Sequence, residues 1–490
     1  MSKHSGIYPS KTLPPPLAMV TATATLLPNE LWLSIFTHID DIPTIKNVLL
    51  TSQHFHALGL DATLRNLVWR TPEKTHKRLA DLLHCPEKRR LPRELFMALG
   101  TGTAPNSTLV DWDAPATSIP DLQEAMRIRC LGTLANLRSL TITGGTILPH
   151  YFDALRQLRR LDLLRLQHCG VFICAPADDL SLGLGEPDLT ITSLALHNVV
   201  LCTDSNSDPA ADTTTHLWQR VRDFEVFSTI DANLFVETQA AHLLPHLPAL
   251  ERLRVWGLPT VGPGDTPVHA WVPLDPAPLG GVAPTLRAFS GTRRMALEII
   301  PQAPSLEEIC LQEEISAARA LELVESLNPE TMRKVEIPLR DWDASVLQRT
   351  AQMLPKLESL SLLYRFGDLS SEYLTNTLPS LLAYLPALRI IRICPFDDLG
   401  AYARVHPILR SRYRFRTYDD YMFALLAWRT VSASGQRRPT PIPDSEALRY
   451  ADIWGRANAA LGTVVLGPRK ECVRSAEGGW VVKDADEWDV

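Results

Sequence analysis

The sequence predicts an α/β protein in which a few short helices precede a long solenoid of strands and return segments. At 490 residues the chain exceeds the length that one hydrophobic core usually organises. Leucine makes up about 15% of the residues, and the 38 prolines outnumber the 24 glycines. This composition favours a stacked array in which a turn precedes every strand.

Charge and hydropathy exclude several classes of protein. Apolar residues make up 45% and charged residues 21%, a balance typical of soluble globular chains. The net charge of -6 creates no global positive field, so we expect no nucleic-acid partner. Because no run approaches the roughly 18 apolar residues of a membrane span, we expect no membrane partner. The eight cysteines form no Cys-x-x-Cys pair, which suggests thiols in a cytoplasmic or nuclear protein.

The N-terminal 70 residues divide into a lead and a helical segment. Residues 1–24 are rich in Ser, Thr and Pro, which predicts a disordered lead. The segment after it predicts three short helices. The first runs from about Pro28 to Ile39, and its apolar face comprises Leu31, Ile35, Phe36 and Ile39. The second starts near Asp41, and the third carries Phe55, is interrupted at Gly59 and resumes through Leu67, Val68 and Trp69.

This helical segment, residues 25–70, resembles the F-box family. Leu27-Pro28, Glu30-Leu31, Ile35-Phe36 and Ile39-Asp40 stand where that family has its opening Leu-Pro, its Glu-Leu, an apolar pair and Leu-Asp. Phe55 stands where many members carry tryptophan, and Leu67 to Trp69 resemble the closing Leu-Trp. The resemblance implies docking on a Skp-type adaptor of a cullin ubiquitin ligase. The residues it implies for that interface are Leu27, Pro28, Glu30, Leu31, Ile35, Phe36 and Leu50, although several must also serve the segment's own core.

A second copy of the opening signature, Leu91 to Leu95, is followed by loop-like residues rather than by a helix. We therefore interpret Leu95 to Leu99 as the first solenoid strand, preceded by a helix from Thr75 to His84. Leucine-rich units then recur, and their strands are predicted to start near residues 140, 161, 194, 224, 253, 286, 309, 335, 360 and 391. The spacing suits one strand and one return segment per unit.

Residues 71–430 therefore resemble degenerate leucine-rich repeats, similar to those of fungal F-box proteins with divergent repeats. The asparagine that usually follows such a strand is mostly missing, and Asn198 is the best candidate for it. The resemblance implies an α/β leucine-rich-repeat-like horseshoe. Two insertions, Thr203 to His216 and Gly257 to Pro284, interrupt the period and are either recognition loops or filler.

Side chains alternate across each predicted strand, so every second residue is expected on the concave face. The expected contacts to a protein substrate are Glu225, Phe227, Arg254, Trp256, Glu336 and Arg392; His197 is expected to be exposed beside them. Trp256 has two interpretations that the residues leave open. It is either an exposed binding residue or a packing residue buried by the insertion that follows it.

The C-terminal region changes in character after Tyr421 to Val431, a helix candidate. Residues 431–443 are predicted to be a linker, and residues 444–490 to close the end of the solenoid. Asp444 is expected to cap a helix. A strand at Val464 to Leu466 and a hairpin from Cys472 to Val482, turning at Glu477 to Gly479, follow it.

The search for chemistry finds no phosphate-binding loop, nucleophile elbow, zinc-protease or dinucleotide motif. Asp111-Trp112-Asp113 and Asp341-Trp342-Asp343 offer paired carboxylates, but two similar strand-to-turn corners are the simpler interpretation. We expect no enzyme activity and no cofactor or metal. The expected function is substrate recognition within a Skp–cullin–F-box ubiquitin ligase. The alternative is a non-catalytic repeat scaffold whose N-terminal helices only cap the stack.

Overall fold

The computed structural model describes residues 27–38, 42–99, 130–147, 149–173, 191–203, 218–228, 240, 243–257, 283–395, 442–467 and 470–484. Several predicted features lie wholly or mostly outside these residues: the N-terminal lead, the two insertions, Asp111 to Asp113, the helix candidate at Tyr421 and the linker. The described part is a mixed α/β structure built around one long, mainly parallel sheet.

Three helices form the N-terminal segment: α1 (Asn29–His38), α2 (Ile42–Leu49) and α3 (Gln53–Arg65). The carbonyl of Pro28 accepts the first backbone hydrogen bonds of α1, from Leu31 and Trp32. Ser52 caps α3 by accepting a hydrogen bond from the Phe55 N–H at 3.0 Å. The predicted break at Gly59 is wrong. Helix α3 continues through it. A Cβ at position 59 would lie 1.9 Å from Leu49 Cδ2, so the glycine gives the Leu49 side chain room to pack against α3.

The prediction that Leu67 to Trp69 complete the third helix is also wrong. Residues Asn66–Trp69 form strand β1, which follows α3 without any linker. Strand β1 pairs in parallel with β2 (Glu94–Ala98), and Trp69 is buried in the core of the solenoid. Val68 is β-branched, Trp69 is aromatic, and burial alternates along the four residues. These features favour a strand over the end of a helix. Helix α4 (Pro72–Leu83), capped by Thr71, connects the two strands.

The main sheet contains fifteen described strands in the order β1-β2-β3-β5-β7-β9-β10-β11-β12-β13-β14-β15-β16-β17-β18. Its strands from β3 onward are β3 (Ser139–Thr143), β5 (Leu163–Gln167), β7 (Ser193–His197), β9 (Asp223–Ser228), β10 (Arg252–Gly257), β11 (Ala288–Gly291), β12 (Glu308–Leu311), β13 (Lys334–Asp341), β14 (Ser359–Phe366), β15 (Ile390–Pro395), β16 (Thr463–Gly467), β17 (Lys470–Arg474) and β18 (Trp480–Asp484). All pairs up to β15–β16 are parallel, as expected for a solenoid. The sheet does not close, since β1 and β18 stand at its two ends.

One row of paired residues runs through the core of this sheet. The row contains Leu95, Leu140, Leu164, Leu194, Phe224, Leu253, Phe289, Ile309, Val335, Leu360, Ile391 and Val464, and each is at most 2% exposed. Each side chain is covered by the equivalent residues of the two neighbouring strands. The recurring leucines of the sequence therefore produce one continuous core rather than separate ones.

A repeated pair of backbone hydrogen bonds fixes where the strands start. In most repeats, the carbonyl just before one strand accepts two backbone hydrogen bonds from the start of the next. Arg222 O accepts from Glu251 N and Arg252 N, both at 2.8 Å, and Glu251 O accepts from Arg287 N and Ala288 N. Because each of these strand starts is held by its predecessor, the parallel strands remain in one register across the sheet.

The return segments differ between the two halves of the solenoid. After β3, β5 and β7 the chain turns at Gly144, His168 and Asn198, all at positive φ (71°, 51° and 51°). Short strands β4 (Thr146–Ile147), β6 (Gly170–Ile173) and β8 (Val200–Thr203) follow and form a second parallel sheet. Asn198 thus occupies a strand-end corner, where asparagine tolerates the left-handed conformation. Helix α5 (Pro149–Arg156) returns the chain from β4 to β5.

In the other half, helices return the chain: α6 (Arg293–Ile299), α7 (Ala317–Ser326), α8 (Ala344–Met353) and α9 (Leu378–Leu382). A single π-helical turn, Tyr373–Thr377, precedes α9. The Leu374 carbonyl would accept from the N–H of residue 378 in an α-helix or of residue 379 in a π-helical turn. The Leu378 N–H donates to Tyr373 O instead, and Pro379 has no N–H, so neither partner is present along the helix. Trp454 Nε1 donates to it at 2.8 Å, which attaches the C-terminal helix to the solenoid.

That C-terminal helix is α10 (Asp444–Ala457). Asp444 is its first residue rather than its cap, because Pro443 occupies the cap position. Strand β16 extends the parallel sheet, and β17 and β18 form the predicted hairpin, with Gly478 at φ 87° in its turn. The antiparallel hairpin ends the run of parallel pairs at this end of the sheet.

Two candidate interaction surfaces

The first candidate surface lies on helix α1. Leu31 and Ile35 are four residues apart and share one side of the helix, Leu27 lies two residues before its start, and the three are 49%, 41% and 41% exposed. We call these three residues the apolar stripe. Leu50, just after α2, is 82% exposed. These four account for half of the large hydrophobic side chains that are exposed within the described residues.

The neighbouring side of α1, about 100° around the helix, forms the interior of the helical segment. Trp32 and Phe36, also four residues apart, face Phe55 of α3, with ring centroids 4.6 Å (Trp32 to Phe55) and 6.1 Å (Phe36 to Phe55) apart. Phe36 is only 2% exposed. The single apolar face predicted for α1 is therefore two faces: Phe36 belongs to the core, whereas Leu31 and Ile35 point outward. Trp32 was missed, although its spacing from Phe36 could have identified it.

The residues expected to contact an adaptor thus separate by location. Pro28 and Glu30 are exposed at the start of α1, next to the apolar stripe. Glu30 lies in the first turn, where the helix dipole stabilises its negative charge. Six of the seven residues are accessible to a partner, and Phe36 instead holds the helices together. The sequence alone could not divide the two roles, because helical spacing does not show which face finds a neighbour.

The second candidate surface is a row of paired residues on the other face of the main sheet. In strand order, this outer row contains Arg165, Ala195, Glu225, Arg254, Ser290, Cys310, Glu336, Ser361 and Arg392. Four of the six residues expected to contact a substrate therefore align in one row. The other two, Phe227 and Trp256, are paired with each other one row further on.

A chain of polar contacts crosses four strands at one part of the outer face. His197 Nε2 lies 3.1 Å from Glu225 Oε1, and Gln167 Nε2 lies 3.5 Å from His197 Nδ1. Arg254 Nη1 lies 4.0 Å from Glu225 Oε2. Since the carboxylate can only accept, His197 donates from Nε2, and in the neutral ring Nδ1 accepts from Gln167. We call Gln167, His197, Glu225 and Arg254 the polar chain.

Opposing effects act on the pKa of Glu225. Its burial alone would raise the pKa. The hydrogen bond from His197, together with the positive charges of His197, Arg254 and Arg165, outweighs that effect, so the pKa of Glu225 lies below its ordinary value. The carboxylate is therefore ionised at neutral pH and can hold the guanidinium of Arg254 by charge. Arg165 was not among the predicted residues, although strand alternation alone places it on the same face as Glu225.

Two predictions about this face are wrong. His197 and Phe227 were expected to be exposed, but they are 7% and 5% exposed. Their rings pack edge to face, with centroids 5.8 Å apart and planes at 81°. Side chains on the open face of a sheet bury one another when large rings occupy neighbouring strands. For Trp256 the structure describes the backbone, which pairs with Phe227, and not the side chain.

The paired carboxylates Asp341 and Asp343 lie where strand β13 leads into helix α8. Asp343 caps α8 by accepting from the Ser345 N–H at 2.8 Å. Trp342, between them, packs on Tyr364 and Tyr373, with ring centroids 5.6 and 5.9 Å away. Burial raises the pKa of Tyr373 to about 12. These contacts are those of a strand-to-helix corner.

Within the described residues, no group of His, Cys, Asp and Glu side chains has the arrangement of a metal site. The helices found there are also too short or too polar to cross a bilayer. Cys169, beneath the corner at His168, contacts Gln167 O at 3.1 Å. Burial raises the pKa of the Cys169 thiol to about 12.

No model of a known protein family and no curated protein matches the chain. Among solved structures, the chain is similar to a plant peptide hormone receptor, RGFR1 in complex with RGF2, at 12% identity and a TM-score of 0.20. The match covers 65% of this chain and 43% of the receptor chain, so this chain spans less than half of that receptor's length. A likeness this weak carries no argument about fold or function.

Proposed function

We propose that the protein is a substrate-recognition subunit of a Skp–cullin–F-box ubiquitin ligase. In this proposal α1 to α3 bind a Skp-type adaptor, and the outer face of the sheet binds a protein substrate. The observation that carries it is the exposed apolar stripe on α1. Soluble proteins rarely leave such a stripe uncovered unless a partner covers it.

The geometry of the stripe suits a helix-to-groove interface. Such interfaces use apolar anchors at successive turns of one helix, as Leu31 and Ile35 provide, with Leu27 just before the helix. Pro28 and Glu30 extend the surface at the start of the helix. Phe36 supports the same interface indirectly, because its aromatic contacts with Trp32 and Phe55 fix α1 on α3.

One observation favours the alternative, a repeat scaffold capped by its N-terminal helices. Helix α3 leads directly into β1, and Arg65 O accepts a hydrogen bond from Arg93 N at 2.8 Å. The helical segment is thus attached to the stack by the same backbone contacts that join the repeats. A capping helix, however, would bury its apolar residues against the stack, and the apolar stripe is exposed.

Replacing Leu31 and Ile35 together by Glu tests the proposal. Each of these side chains would contribute about 1.5 kcal/mol or more when buried by the adaptor, so we expect the affinity for a purified Skp-type adaptor to fall at least about a hundredfold. Binding can be measured by calorimetry and folding by circular dichroism.

Tyr384→Glu is the matched control, because Tyr384 is a large hydrophobic residue that is 63% exposed in the solenoid. We expect this variant to bind the adaptor normally. If the Leu31→Glu/Ile35→Glu protein remains folded and binds the adaptor as tightly as the control, the ligase function is wrong and the scaffold is favoured.

A further inference from the structure

We propose that the edge of the sheet where the first strands start, next to the helical segment, binds an acidic segment of a protein partner. The surface is formed by Arg65, Arg93 and Arg138, which we call the arginine run. The inference goes beyond the ligase function and does not depend on it, because neither the apolar stripe nor the outer row takes part.

The three arginines occupy the same position in three successive repeats, immediately before β1, β2 and β3. The Arg93 N–H donates to Arg65 O at 2.8 Å, and the Arg138 N–H donates to Arg93 O at 2.7 Å. Because neighbouring strands of a sheet lie about 4.8 Å apart, the three positions lie side by side along roughly 10 Å of the edge. Arg93 and Arg138 are exposed, and Arg65 is half-buried.

The same position alternates in charge in the C-terminal half of the solenoid. The line of backbone hydrogen bonds there connects Arg222, Glu251, Arg287, Glu307, Arg333, Glu358 and Arg389, in that order. Every neighbour along this line has the opposite charge, and three of the neighbouring pairs form ion pairs, at 3.5, 4.0 and 4.0 Å. The sheet can therefore neutralise this position from within the chain.

The arginine run has no such compensation. Within the described part of the chain, none of its three guanidinium groups forms an ion pair. Two acidic residues adjoin the run and offset part of its charge: Asp162 follows Arg138 along the same line, and Glu94 follows Arg93 in the chain. Like charges on adjacent strands repel, so the run costs stability in the free protein. A bound anionic partner would remove that cost.

Arg160 adds a fourth cation beside the run. Its Nη1 donates to Asn136 Oδ1 at 2.8 Å, and Asn136 Nδ2 donates to Arg90 O at 2.6 Å. Asn136 lies two residues before Arg138, so these bonds hold the Arg160 guanidinium close to the start of β3. A guanidinium carries five N–H donors, and one hydrogen bond to Asn136 leaves the others for a ligand.

An acidic protein segment fits this surface better than a nucleic acid does. Four arginines neutralise only a few phosphates, and the net charge of -6 provides no wider positive field to attract a polyanion. Along an extended peptide, side chains on one face recur about every 6.8 Å, so two acidic residues at alternate positions fit within the run. Each carboxylate can accept two parallel N–H bonds from one guanidinium.

The binding test uses the full-length protein and a fluorescein-labelled decapeptide of alternating Glu and Gly, with a Gln and Gly decapeptide as the neutral reference. Fluorescence anisotropy is measured at about 20 mM salt, where screening is weak. We expect the Glu peptide to bind at least about tenfold more tightly than the Gln peptide.

Two double variants assign that preference to the run. Arg93→Gln/Arg138→Gln should reduce the preference at least about fivefold, because two guanidinium contacts are lost. Arg287→Gln/Arg333→Gln is the matched control. It removes two arginines from the same position in the other half, where Glu residues flank each of them, and it should preserve the preference.

Stability provides a second test with an expected change of sign. Arg93→Glu gives the run the alternating order of the C-terminal half, so it should raise the midpoint of thermal unfolding at low salt by roughly 1 °C or more. Arg333→Glu interrupts the alternation and should lower the midpoint. Glu307 and Glu308 show that this position accepts two acidic residues in succession, as Arg93→Glu would place beside Glu94.

Three results would overturn the inference: a Glu preference unchanged in Arg93→Gln/Arg138→Gln, a lower midpoint in Arg93→Glu, or an oligouridylate that binds through the run more tightly than the Glu peptide. Adaptor binding is measured on the same preparations. A failed peptide preference with normal adaptor binding rejects only the acidic-segment surface. Lost adaptor binding with an intact preference that depends on the run rejects only the ligase function.

Discussion

Leucine has opposite roles in the N-terminal helices and in the solenoid. Leu27, Leu31 and Leu50 are exposed, whereas Leu140 and Leu360 in the sheet are completely buried. In the solenoid each strand is covered by its neighbours, because identical positions of successive repeats lie side by side. The three helices have no following copy of themselves on their outer side. An apolar residue in a repeat therefore finds its partner in the next repeat, whereas in the helical segment Phe36 packs on Trp32 and Phe55 while Leu31 and Ile35 stay exposed.

The sharpest test of where one region ends and the other begins is at β1. Trp69 is 6% exposed and its neighbour Val68 is 46% exposed. If β1 belongs to the sheet, Trp69→Ala should lower the free energy of unfolding by roughly 3–5 kcal/mol, and Val68→Ala should change it by less than about 0.5 kcal/mol. Urea denaturation followed by circular dichroism measures both. Equal effects would place residues 66–69 outside the core of the solenoid.

A second pair of variants compares the two regions directly. Leu360→Ala removes a fully buried side chain in the middle of the core row, so it should destabilise the protein by about 2–5 kcal/mol. Leu31→Ala removes the same atoms from an exposed position and should cost no more than about 0.5 kcal/mol in the isolated protein. A large loss of stability for Leu31→Ala would show that the apolar stripe packs against the protein itself.

The ionisation of Glu225 makes the outer face sensitive to pH, unlike the apolar stripe. Because its pKa is lowered on folding, Glu225 contributes stability above its ordinary pKa of 4.5 and loses that contribution as the pH falls below it. Glu225→Gln should therefore be less stable than the natural protein by roughly 1.5–3 kcal/mol at neutral pH. The difference should shrink when urea denaturation is repeated at about pH 3.5. A difference that is constant with pH would mean that Glu225 carries no favourable charge interaction.

The smallest expected effect concerns the charged residues that line the strand starts. Arg222 and Glu251 lie 3.5 Å apart on neighbouring strand starts, and Arg287 and Glu307 repeat the arrangement at 4.0 Å. Because these pairs are exposed, Glu251→Arg should cost only about 0.2–1 kcal/mol. Adding Arg222→Glu should restore most of the lost stability, which thermal unfolding at low salt can measure. Failure to restore stability would mean that backbone contacts alone hold the register here.

The strands of the solenoid were the most predictable part of the fold. The ten predicted starts between residues 140 and 391 lie within two residues of the observed ones, because apolar residues at alternate positions mark most of these strands. Strands β4, β6 and β8 of the second sheet were not predicted. Strand β1 was misassigned because Leu67 to Trp69 fit the end of a helical motif equally well. Its pairing with β2, which begins 25 residues after β1 ends, shows that these residues form a strand.

The sequence by itself determined the ten main-sheet strands from β3 to β15 and four residues of the outer row, Glu225, Arg254, Glu336 and Arg392. Each of these follows from local periodicity, which the backbone geometry converts into faces and rows. Only the tertiary structure decided which apolar residues of α1 are buried, that Phe227 and His197 cover each other, and that Glu225 joins His197 to Arg254. Those outcomes depend on contacts between residues about 20 to 30 positions apart, and the burial and charge of a side chain are set by such neighbours rather than by its own segment.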